Sequence, residues 1–258
     1  MQTKIIAVAN EKGGVGKTVT VINLAAALTL ENKRVLVVDM DPQANATIGL
    51  GVEPGDAQIS VYDLVMQTGD SVLSEAIMPT AWDGLDLIPG NVDLVGAEVE
   101  LVDIPGRENR LREAMVDLPA IYDFVLLDTP PSLSLLTVNV FAYASQVLIP
   151  CQTHPYAYSS LAELCDTVDA IQRRINADIS ILGIVPTFYD SRTRVSRDVF
   201  ARLQSDERYK KMLFETVVRA NTTIAESAAV GKPVVFYRKR SFGALDYRSL
   251  AKELIRRA

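Results

Sequence analysis

A glycine-rich segment near the amino terminus constrains this chain more than any other feature. Residues 12–18 read Lys-Gly-Gly-Val-Gly-Lys-Thr, between the apolar run 5–9 and an apolar helical pattern at 21–28. In a strand–loop–helix unit, consecutive backbone N–H groups can point at an anionic oxygen, because glycine has no Cβ to block the approach. The helix N-terminus adds partial positive charge. The segment therefore predicts a phosphate-binding loop.

Two side chains of this loop add a charge and a metal ligand. Lys17 supplies a positive charge to β- and γ-phosphates, and the Thr18 hydroxyl can ligate Mg²⁺. Where the general pattern G-x-x-x-x-G-K-[ST] begins with glycine, this chain has Glu11, followed by an extra lysine, Lys12. The residues expected to contact the nucleotide are Lys12, Gly13, Gly14, Val15, Gly16, Lys17, Thr18 and Val19.

Apolar, β-branched runs recur along the chain with helical stretches between them. Continuous apolar runs indicate strands covered on both faces, and the intervening helices indicate βαβ crossovers. We therefore expect one α/β domain over residues 1–258, a P-loop NTPase fold with a mostly parallel sheet. The predicted strands are 5–9, 34–39, 85–88, 122–128, 146–150, 179–185, 212–217 and 233–237, and helices are expected around 62–67, 73–77 and 243–257.

Three aspartates stand at or just after predicted strands, where a parallel sheet binds its ligands. Asp39 and Asp41 alternate along an extended backbone, so their side chains are expected to point the same way. Asp128 ends an apolar strand, where its carboxylate can accept a hydrogen bond from a metal-bound water. The three carboxylates are therefore candidates for the metal and for hydrolysis.

Composition argues against several classes of protein. The chain has 258 residues, 48% of them hydrophobic, so it can bury a large core. No apolar run approaches the ~20 residues of a membrane span, and the start leads directly into a strand, so no signal peptide is expected.

Cys151 and Cys165 match no metal spacing and are expected to be buried thiols in a reducing cytosol. His154 has no second ligand nearby and is expected to be a loop or interface residue.

Charge is distributed unevenly along the chain. Residues 1–191 contain 10 Lys/Arg and 25 Asp/Glu, whereas residues 192–258 contain 16 Lys/Arg and 7 Asp/Glu. The net charges of these parts are −15 and +9, within a total of −6. A basic carboxyl-terminal quarter in an acidic protein predicts a polyanionic partner.

Four segments resemble the ParA/MinD family of ATPases. Residues 12–18 resemble its deviant P-loop, and residues 37–47 (VVDMDPQANAT) its second phosphate-site motif. Residues 124–132 (FVLLDTPPS) resemble its Walker B strand and the following loop, and residues 225–254 resemble the carboxyl-terminal part of ParA proteins. The resemblance covers essentially the whole chain.

The resemblance implies roles for the site residues in ATP hydrolysis. It implies that Asp41 orients the attacking water, that Thr18 and Asp128 hold Mg²⁺, and that Asp39 acts around the loop and the metal. Lys12 would cross to the nucleotide of a partner subunit in an ATP-sandwich dimer, whose close packing accommodates only glycine at positions such as Gly13. Val19 departs from relatives that often have a hydroxyl residue there.

The resemblance also implies a DNA-binding surface. Arg192 and Arg219 match basic positions implicated in DNA binding by ParA relatives, and other basic residues extend the patch. Because the sequence shows neither a recognition helix nor interleaved aromatics, we expect contacts to phosphates without sequence preference. The candidate DNA-binding residues are Arg192, Arg219, Lys232, Arg238, Lys239 and Arg240.

These features together predict a DNA-partitioning ATPase of the cytoplasm and nucleoid. Its ATP-bound homodimer would bind nonspecific DNA, and a ParB-like protein would stimulate hydrolysis to ADP and release the dimer. A MinD-like membrane ATPase is the first alternative, although the final helix is expected to pack on the core and no amphipathic membrane-targeting tail is expected. A metabolic or metal-cluster relative would need paired cluster cysteines or a substrate pocket. A third alternative keeps the DNA-binding ATPase but moves a protein cargo, and the sequence leaves the cargo open.

Overall fold

A seven-stranded sheet organises the chain in a computed structural model, which describes residues 2–67 and 72–258. Residues 1 and 68–71 of the predicted domain lie outside the described residues. The strand order is β3-β4-β2-β5-β1-β6-β7, and every neighbouring pair is parallel except β3 with β4. The strands are β1 Lys4–Val8, β2 Val35–Asp39, β3 Met78–Pro79, β4 Leu85–Ile88, β5 Phe124–Asp128, β6 Gln146–Gln152 and β7 Ser180–Thr187.

Helices connect the parallel strands and cover the sheet. The α-helices are α1 Lys17–Thr29, α2 Asn45–Gly49, α3 Val61–Met66, α4 Val72–Ala76, α5 Leu94–Glu100, α6 Arg110–Ala114, α7 Leu135–Tyr143, α8 Ala157–Arg174, α9 Arg194–Ser205, α10 Thr222–Ala229, α11 Val234–Tyr237 and α12 Phe242–Arg257. Short 3₁₀ turns occupy Pro54–Asp56, Leu101–Asp103 and Arg107–Asn109. In the described part of the chain, no helix is long and apolar enough to cross a membrane.

Alternate residues of the central strands enter two separate cores. Leu36 and Val38 of β2 belong to the cluster on one face, whereas Val35 and Val37 belong to the cluster on the other. Burying both faces of a strand requires the continuous apolar runs seen in the sequence. The predicted α/β class and the mostly parallel, doubly covered sheet are therefore confirmed.

Helix α1 joins the phosphate loop to the carboxyl-terminal quarter of the chain. The side-chain amide of Asn23 donates to the Val19 carbonyl at 2.7 Å, and its oxygen accepts from the Val234 N–H at 2.7 Å. The hydroxyls of Thr20 and Tyr247 lie 3.4 Å apart inside the core. The helix that begins at the loop therefore packs directly on α11 and α12.

Two of the predicted strands are wrong. Residues 212–217 contact the sheet through an isolated bridge between Leu213 and Ile184, and the Glu253 carboxylate accepts their next N–H groups, from Glu215 and Thr216, at 2.8 Å each. Residues 233–237 contain helix α11. Residues 212–217 contact α12 and β7, and residues 233–237 pack on α1 and α12, so apolar residues alone do not distinguish these segments from strands.

The remaining predicted elements agree with the structure to within a residue or two. Helices α3, α4 and α12 match the ranges predicted around 62–67, 73–77 and 243–257. The two-residue strand β3 was not predicted, because a segment that short has no recognisable periodicity.

The close approach of residues 212–214 to β7 depends on Gly183. A Cβ at Gly183 would lie 2.5 Å from the Phe214 ring and 2.6 Å from the Met212 carbonyl oxygen. We expect Gly183→Ala to lower the free energy of unfolding by about 1–3 kcal/mol through overpacking. Gly55→Ala is the matched control, because a Cβ there meets nothing within 4 Å. Urea unfolding of the three proteins measures the difference, and equal midpoints for Gly183→Ala and the native chain would contradict it.

Candidate phosphate and metal site

Strand register gathers the site at the carboxyl edge of the sheet. Strand β5 lies between β1 and β2, which pairs Asp128 with Val8 on one side and with Asp39 on the other. The glycine loop follows β1, and Asp41 follows β2 by two residues. The predicted site residues from three separate motifs are therefore brought together, as the rule for parallel sheets requires.

The phosphate loop contains two glycines in the left-handed region. Gly14 has a φ of 76° and Gly16 a φ of 92°, a conformation that L side chains rarely adopt. A Cβ at Gly16 would also lie 3.3 Å from the Phe188 ring. These glycines let the backbone curl over the start of α1, where free N–H groups can receive an anion.

Hydrogen bonds from neighbouring elements hold the loop in place. The Asn10 side chain accepts from the Lys12 N–H at 3.0 Å and donates to the Pro150 carbonyl at 2.9 Å. The Thr187 hydroxyl donates to the Val15 carbonyl at 2.8 Å. Strands β6 and β7 therefore support the loop from below.

Glu11, the departure from the general loop pattern, has a structural partner. Its carboxylate accepts a hydrogen bond from the Thr167 hydroxyl of α8 at 3.1 Å. The side chain that replaces the usual glycine therefore ties the beginning of the loop to a neighbouring helix.

Lys17 is buried at the centre of the loop. Its side chain is 6% exposed, and its Nζ donates to the Lys12 carbonyl at 3.3 Å. Burial lowers the pKa of Lys17, while the nearby Asp128 and Asp41 carboxylates raise it. A cation held between two carboxylates and the loop backbone is placed to meet an incoming phosphate.

Asp39 uses both carboxylate oxygens inside the chain. One accepts from the Asp41 N–H at 3.2 Å, and the other from the Thr47 N–H at 2.8 Å and the Thr47 hydroxyl at 2.7 Å. Burial raises the pKa of Asp39 to about 6, although these hydrogen bonds act to lower it. The arrangement makes Asp39 a brace for the segment that carries Asp41.

Asp128 has the opposite surroundings. It is fully buried, and neither carboxylate oxygen has a hydrogen-bond partner of ordinary geometry in the described part of the chain. Burial and then the Asp39 carboxylate raise the pKa of Asp128 well above its usual range, while the Thr18 hydroxyl and Lys17 act to lower it. A buried carboxylate without a strong donor is costly unless a cation or ordered water completes it.

Asp128 and Thr18 therefore fit a magnesium ion. Mg²⁺ keeps several waters and typically takes one or two protein ligands beside phosphate oxygens, rather than a cage of carboxylates. Among the described residues no group of three or more His, Cys, Asp and Glu side chains could hold a metal. A site formed by the Thr18 hydroxyl, Asp128 and nucleotide phosphates would meet the ligand preference of Mg²⁺.

Asp41 is buried beside Lys17, whereas Lys12 is only half-buried. The Asp41 carboxylate accepts from the Gln43 N–H at 2.9 Å, which orients it beside Lys17. The Lys12 ammonium lies 5.7 Å from the centre of the Tyr156 ring, which is 71% exposed. The second lysine of the loop is therefore held near the protein surface by an aromatic ring.

An apolar cavity of about 220 Å³ adjoins the loop. It lies between the beginning of α1 and the segments that follow β7 and precede α10. Its walls include Gly16, Val19, Phe188, Arg219 and Tyr247. Its position beside Gly16 extends the candidate site from the phosphate loop toward the basic part of the chain.

Two of the predicted DNA-binding arginines are neighbours in the structure. A bridge between Tyr189 and Arg219 places the loop that carries Arg192 next to Arg219. Both guanidiniums make bidentate ion pairs, Arg192 with Asp190 at 2.9 Å and Arg219 with the buried Asp246. Arg219 also lies 4.2 Å from the centre of the Phe242 ring. Both positively charged groups therefore already have a carboxylate partner.

The other predicted basic residues are more exposed. Lys232, Lys239 and Arg240 are exposed, and the described residues contain no ion pair that involves them. Arg238 lies 4.0 Å from Glu226, at the limit of an ion pair. The turn that carries 238–240 leads into α12, whose Phe242 covers Arg219.

The remaining candidates behave as structural residues. Cys151 and Cys165 are both buried and free in the described part of the chain, as expected. Burial raises the pKa of the Cys151 thiol to about 12. His154 lies in the loop after β6, with its ring 5.6 Å from that of Tyr156.

The sequence analysis missed Thr47 and Gly90. The Thr47 hydroxyl, which donates to Asp39, also accepts from the Gly90 N–H at 3.0 Å. A Cβ at Gly90 would lie 2.7 Å from the Asp39 carbonyl oxygen, so this close approach requires glycine. Thr47 ends the second phosphate-site motif, a signal that could have drawn attention to it. Gly90 has no such signal, because its contact is made across the sheet edge.

Fold and site together define a P-loop nucleotide-binding protein of the α/β class. A family model described as an AAA domain matches residues 3–181. The chain is 41% identical to the chromosome partitioning protein ParA of Myxococcus xanthus over 98% of its length and 88% of the relative's. It is also 41% identical to the sporulation initiation inhibitor protein Soj of Bacillus subtilis, covering 97% and 98% of the two chains. The chain therefore belongs to the ParA/Soj family of P-loop ATPases.

A solved structure supports the same fold. The chain superimposes on a protein named cobyrinic acid a,c-diamide synthase from Mycobacterium smegmatis with a TM-score of 0.84 and 36% identity. The match covers 99% of this chain and 95% of that one, and the mycobacterial protein was crystallised with ADP and magnesium. The predicted family and P-loop ATPase class are confirmed.

The link from Thr47 to Asp39 and Gly90 yields a prediction. Thr47→Val keeps the shape but removes the hydroxyl, leaving the Gly90 N–H buried and Asp39 short of a donor. We expect a loss of about 1–3 kcal/mol in the free energy of unfolding and slower ATP hydrolysis, since Asp41 is held through the same carboxylate. Thr47→Ser retains the hydroxyl and is the control. Urea unfolding and steady-state hydrolysis measure the two effects. If Thr47→Val has the same stability and the same rate of ATP hydrolysis as the native chain, Asp39 does not hold the Asp41 segment in the way described.

Proposed function

We propose that this protein is a DNA-partitioning ATPase that uses a nucleotide-dependent dimer. The observation that carries the proposal is the buried Asp128 carboxylate without a strong donor, beside Thr18 and the glycine loop. This site fits Mg²⁺ with ATP or ADP, and the mycobacterial protein was crystallised with magnesium and either ADP or an ATP analogue. Two relatives at 41% identity, one of them named for chromosome partitioning, support the biological role.

Each site residue has a defined part in hydrolysis. The loop amides and Lys17 bind the β- and γ-phosphates and neutralise charge that develops on the transferred group. Thr18 and Asp128 would hold Mg²⁺, which would add positive charge beside the phosphates. Asp41 orients the attacking water, and Asp39 keeps the Asp41 segment in position through its three hydrogen bonds.

The apolar cavity beside Gly16 is a suitable place for the adenine base. Its volume of about 220 Å³ and its aromatic walls fit a flat aromatic ring system. Because Phe188 and Arg219 line it, a bound base would lie against the segments that carry the candidate DNA-binding arginines. A bound adenine base would then contact the segments that form the basic surface.

Dimerisation accounts for two features that a single chain does not require. Lys12 lies at the surface against Tyr156, while Lys17 alone occupies the centre of the loop. A Cβ at Gly13 would meet only the Pro131 Cβ at 3.8 Å, an ordinary contact. We infer that Lys12 reaches the nucleotide of a second subunit, in the manner of an arginine finger supplied in trans, and that Gly13 accommodates that subunit.

The proposed DNA contact is electrostatic and depends on assembly. Arg192, Lys232, Lys239 and Arg240 are exposed, whereas Arg219 is held by Asp246 and Phe242. One copy of this surface neutralises few phosphates, and a dimer presents two copies. A ParB-like protein would then stimulate hydrolysis and release the dimer from the nucleoid. The DNA experiment below distinguishes this function from that of a membrane-bound relative.

Lys12→Ala tests the dimer. We expect this variant to bind ATP but to remain a monomer, because the lysine that crosses to the second nucleotide is gone. Lys17→Ala is the control for the loop itself and should lose ATP binding at least tenfold. Asp41→Ala should bind ATP, hydrolyse it very slowly and accumulate as the dimer.

Light scattering coupled to size exclusion, with ATP or ADP, measures these states. Equal ATP-driven dimer formation by Lys12→Ala and the native chain would remove the role in trans. A monomeric Asp41→Ala protein, or one with native turnover, would remove the role of Asp41.

Arg192→Ala tests the DNA surface. We expect ATP to convert weak DNA retention into strong, sequence-independent retention. In Arg192→Ala, the slope of log K against log salt concentration should become shallower by about 0.9 for each phosphate contact removed. Two copies of Arg192 are lost per dimer, so the effect doubles. Arg256→Ala is the matched control, because this exposed arginine follows Ile255, which lines a cavity with Lys4 and Lys33 at the amino edge of the sheet.

Retention on DNA is measured over a salt series with ATP and with ADP. Binding that ignores the nucleotide, or an Arg192→Ala protein that behaves as Arg256→Ala does, would contradict the coupling. Arg219 is a poorer test site, because replacing it leaves the buried Asp246 without its ion pair.

A further inference from the structure

Helix α5, the turn before it and the 3₁₀ turn after it carry an exposed row of valines. Val92, Val95, Val99 and Val102 are 69%, 56%, 74% and 51% exposed. Val95 and Val99 lie on one face of α5, since a helix turns about 100° per residue. Val92 and Val102 continue the spacing of three residues in the turns at the two ends of the helix. We call these four residues the valine stripe. A row of large apolar side chains on one exposed face is typical of an interaction site.

Core packing does not explain the valine stripe. The inward face of the same helical segment is formed by Leu94, Ala97 and Leu101, all with 0% exposure. The segment therefore has one apolar face for its own core and a second apolar face toward solvent. A helix that only covers the sheet would carry polar residues on that second face.

Charge beside the valine stripe indicates the chemistry of a partner. Residues 91–106 contain four acidic side chains, Asp93, Glu98, Glu100 and Asp103, and neither lysine nor arginine. The next cation, Arg107, donates to the Val102 carbonyl at the end of the stripe. An apolar row bordered by carboxylates is complementary to an amphipathic helix with Lys and Arg beside its apolar face.

The acidic border disfavours two other occupants. A second copy of the chain related by a two-fold axis would place the same carboxylates opposite one another. An anionic membrane would be repelled by them. The charge pattern therefore favours a basic protein segment.

The valine stripe begins close to Asp39, which holds the segment that carries Asp41. Val92 follows Gly90 by two residues, and the Gly90 N–H donates to the Thr47 hydroxyl, which donates to Asp39. The Gly90 backbone also packs closely against the Asp39 backbone. A segment bound on α5 would therefore bear on the strand end that positions Asp41.

We propose that the valine stripe is the docking site through which a basic amphipathic segment of the stimulating partner reaches the ATPase site. The inference rests on the proposed function, because it assigns a surface to the partner postulated there. It commits to apolar contacts from Val95 and Val99 and to ionic contacts from the acidic border.

A designed peptide tests the proposal. The probe is a helix of about 20 residues, long enough to be helical in water, with Leu on one face and Lys elsewhere. A scrambled peptide of the same composition and a version with Glu in place of Lys are the peptide controls. Fluorescence anisotropy measures binding to the native chain, to Val95→Ser/Val99→Ser and to Val116→Ser. Val116 is the matched control: it is 73% exposed and lies beside Met115, which lines a cavity with Thr3 at the amino edge of the sheet.

The expected result is selective. The Lys peptide should bind the native chain and Val116→Ser equally, should bind Val95→Ser/Val99→Ser at least tenfold more weakly, and should accelerate ATP hydrolysis of the native chain. The scrambled and Glu peptides should bind at least tenfold more weakly than the Lys peptide. Equal binding by the double variant, or equal binding of the Glu peptide, would overturn the proposal.

Two further measurements separate this inference from the proposed function. If Val95→Ser/Val99→Ser loses ATP-dependent dimerisation, the valine stripe belongs to the contact between subunits and the proposal fails. If the double variant loses an association of the native chain with phosphatidylglycerol vesicles, a membrane is the occupant and the proposal also fails. ATP-dependent dimerisation and DNA retention of the native chain, measured without peptide, test the proposed function by itself.

Discussion

The register of three central strands is the constraint on which the rest of the site depends. Because β5 pairs in parallel with both β1 and β2, Asp128 lies beside Asp39 and below the loop that follows Val8. Two fully buried carboxylates side by side repel one another, and burial raises the pKa of both. The chain relieves Asp39 with hydrogen bonds from Thr47 and Asp41. Asp128 has no comparable donors, so its buried carboxylate is available to bind a metal ion.

Helix α1 extends this arrangement to the other end of the chain. It begins at the phosphate loop and packs on α11 and α12 through Asn23 and Thr20. The cavity beside Gly16 is lined by Phe188 and Arg219, and the bridge at Tyr189 connects those two segments. The cavity beside the phosphate loop and the basic surface therefore have residues in common. A nucleotide bound there would directly contact segments that carry the residues proposed to bind DNA.

The arginines proposed to bind DNA show that the number of basic residues alone does not give the positive charge available to a partner. The carboxyl-terminal quarter has many more basic than acidic residues, yet Arg219 is paired with Asp246 and stacked on Phe242. Arg192 is paired with Asp190, whose pKa falls to about 2 because the guanidinium hydrogen-bonds to it. If the proposed function holds, DNA phosphates compete with these carboxylates, and affinity depends on how many copies of the surface an assembly presents.

The sequence by itself determined the fold class, the glycine loop and the three aspartates, because these follow from local signals: continuous apolar runs, glycines at fixed spacing and carboxylates at strand ends. It did not distinguish residues 212–217 and 233–237 from strands, since burial against helices and burial in a sheet require the same apolar residues. Only the tertiary structure decided that Asp39 is satisfied and Asp128 is not. That difference depends on Thr47 and Gly90, which meet across the sheet edge although 43 residues separate them in the chain.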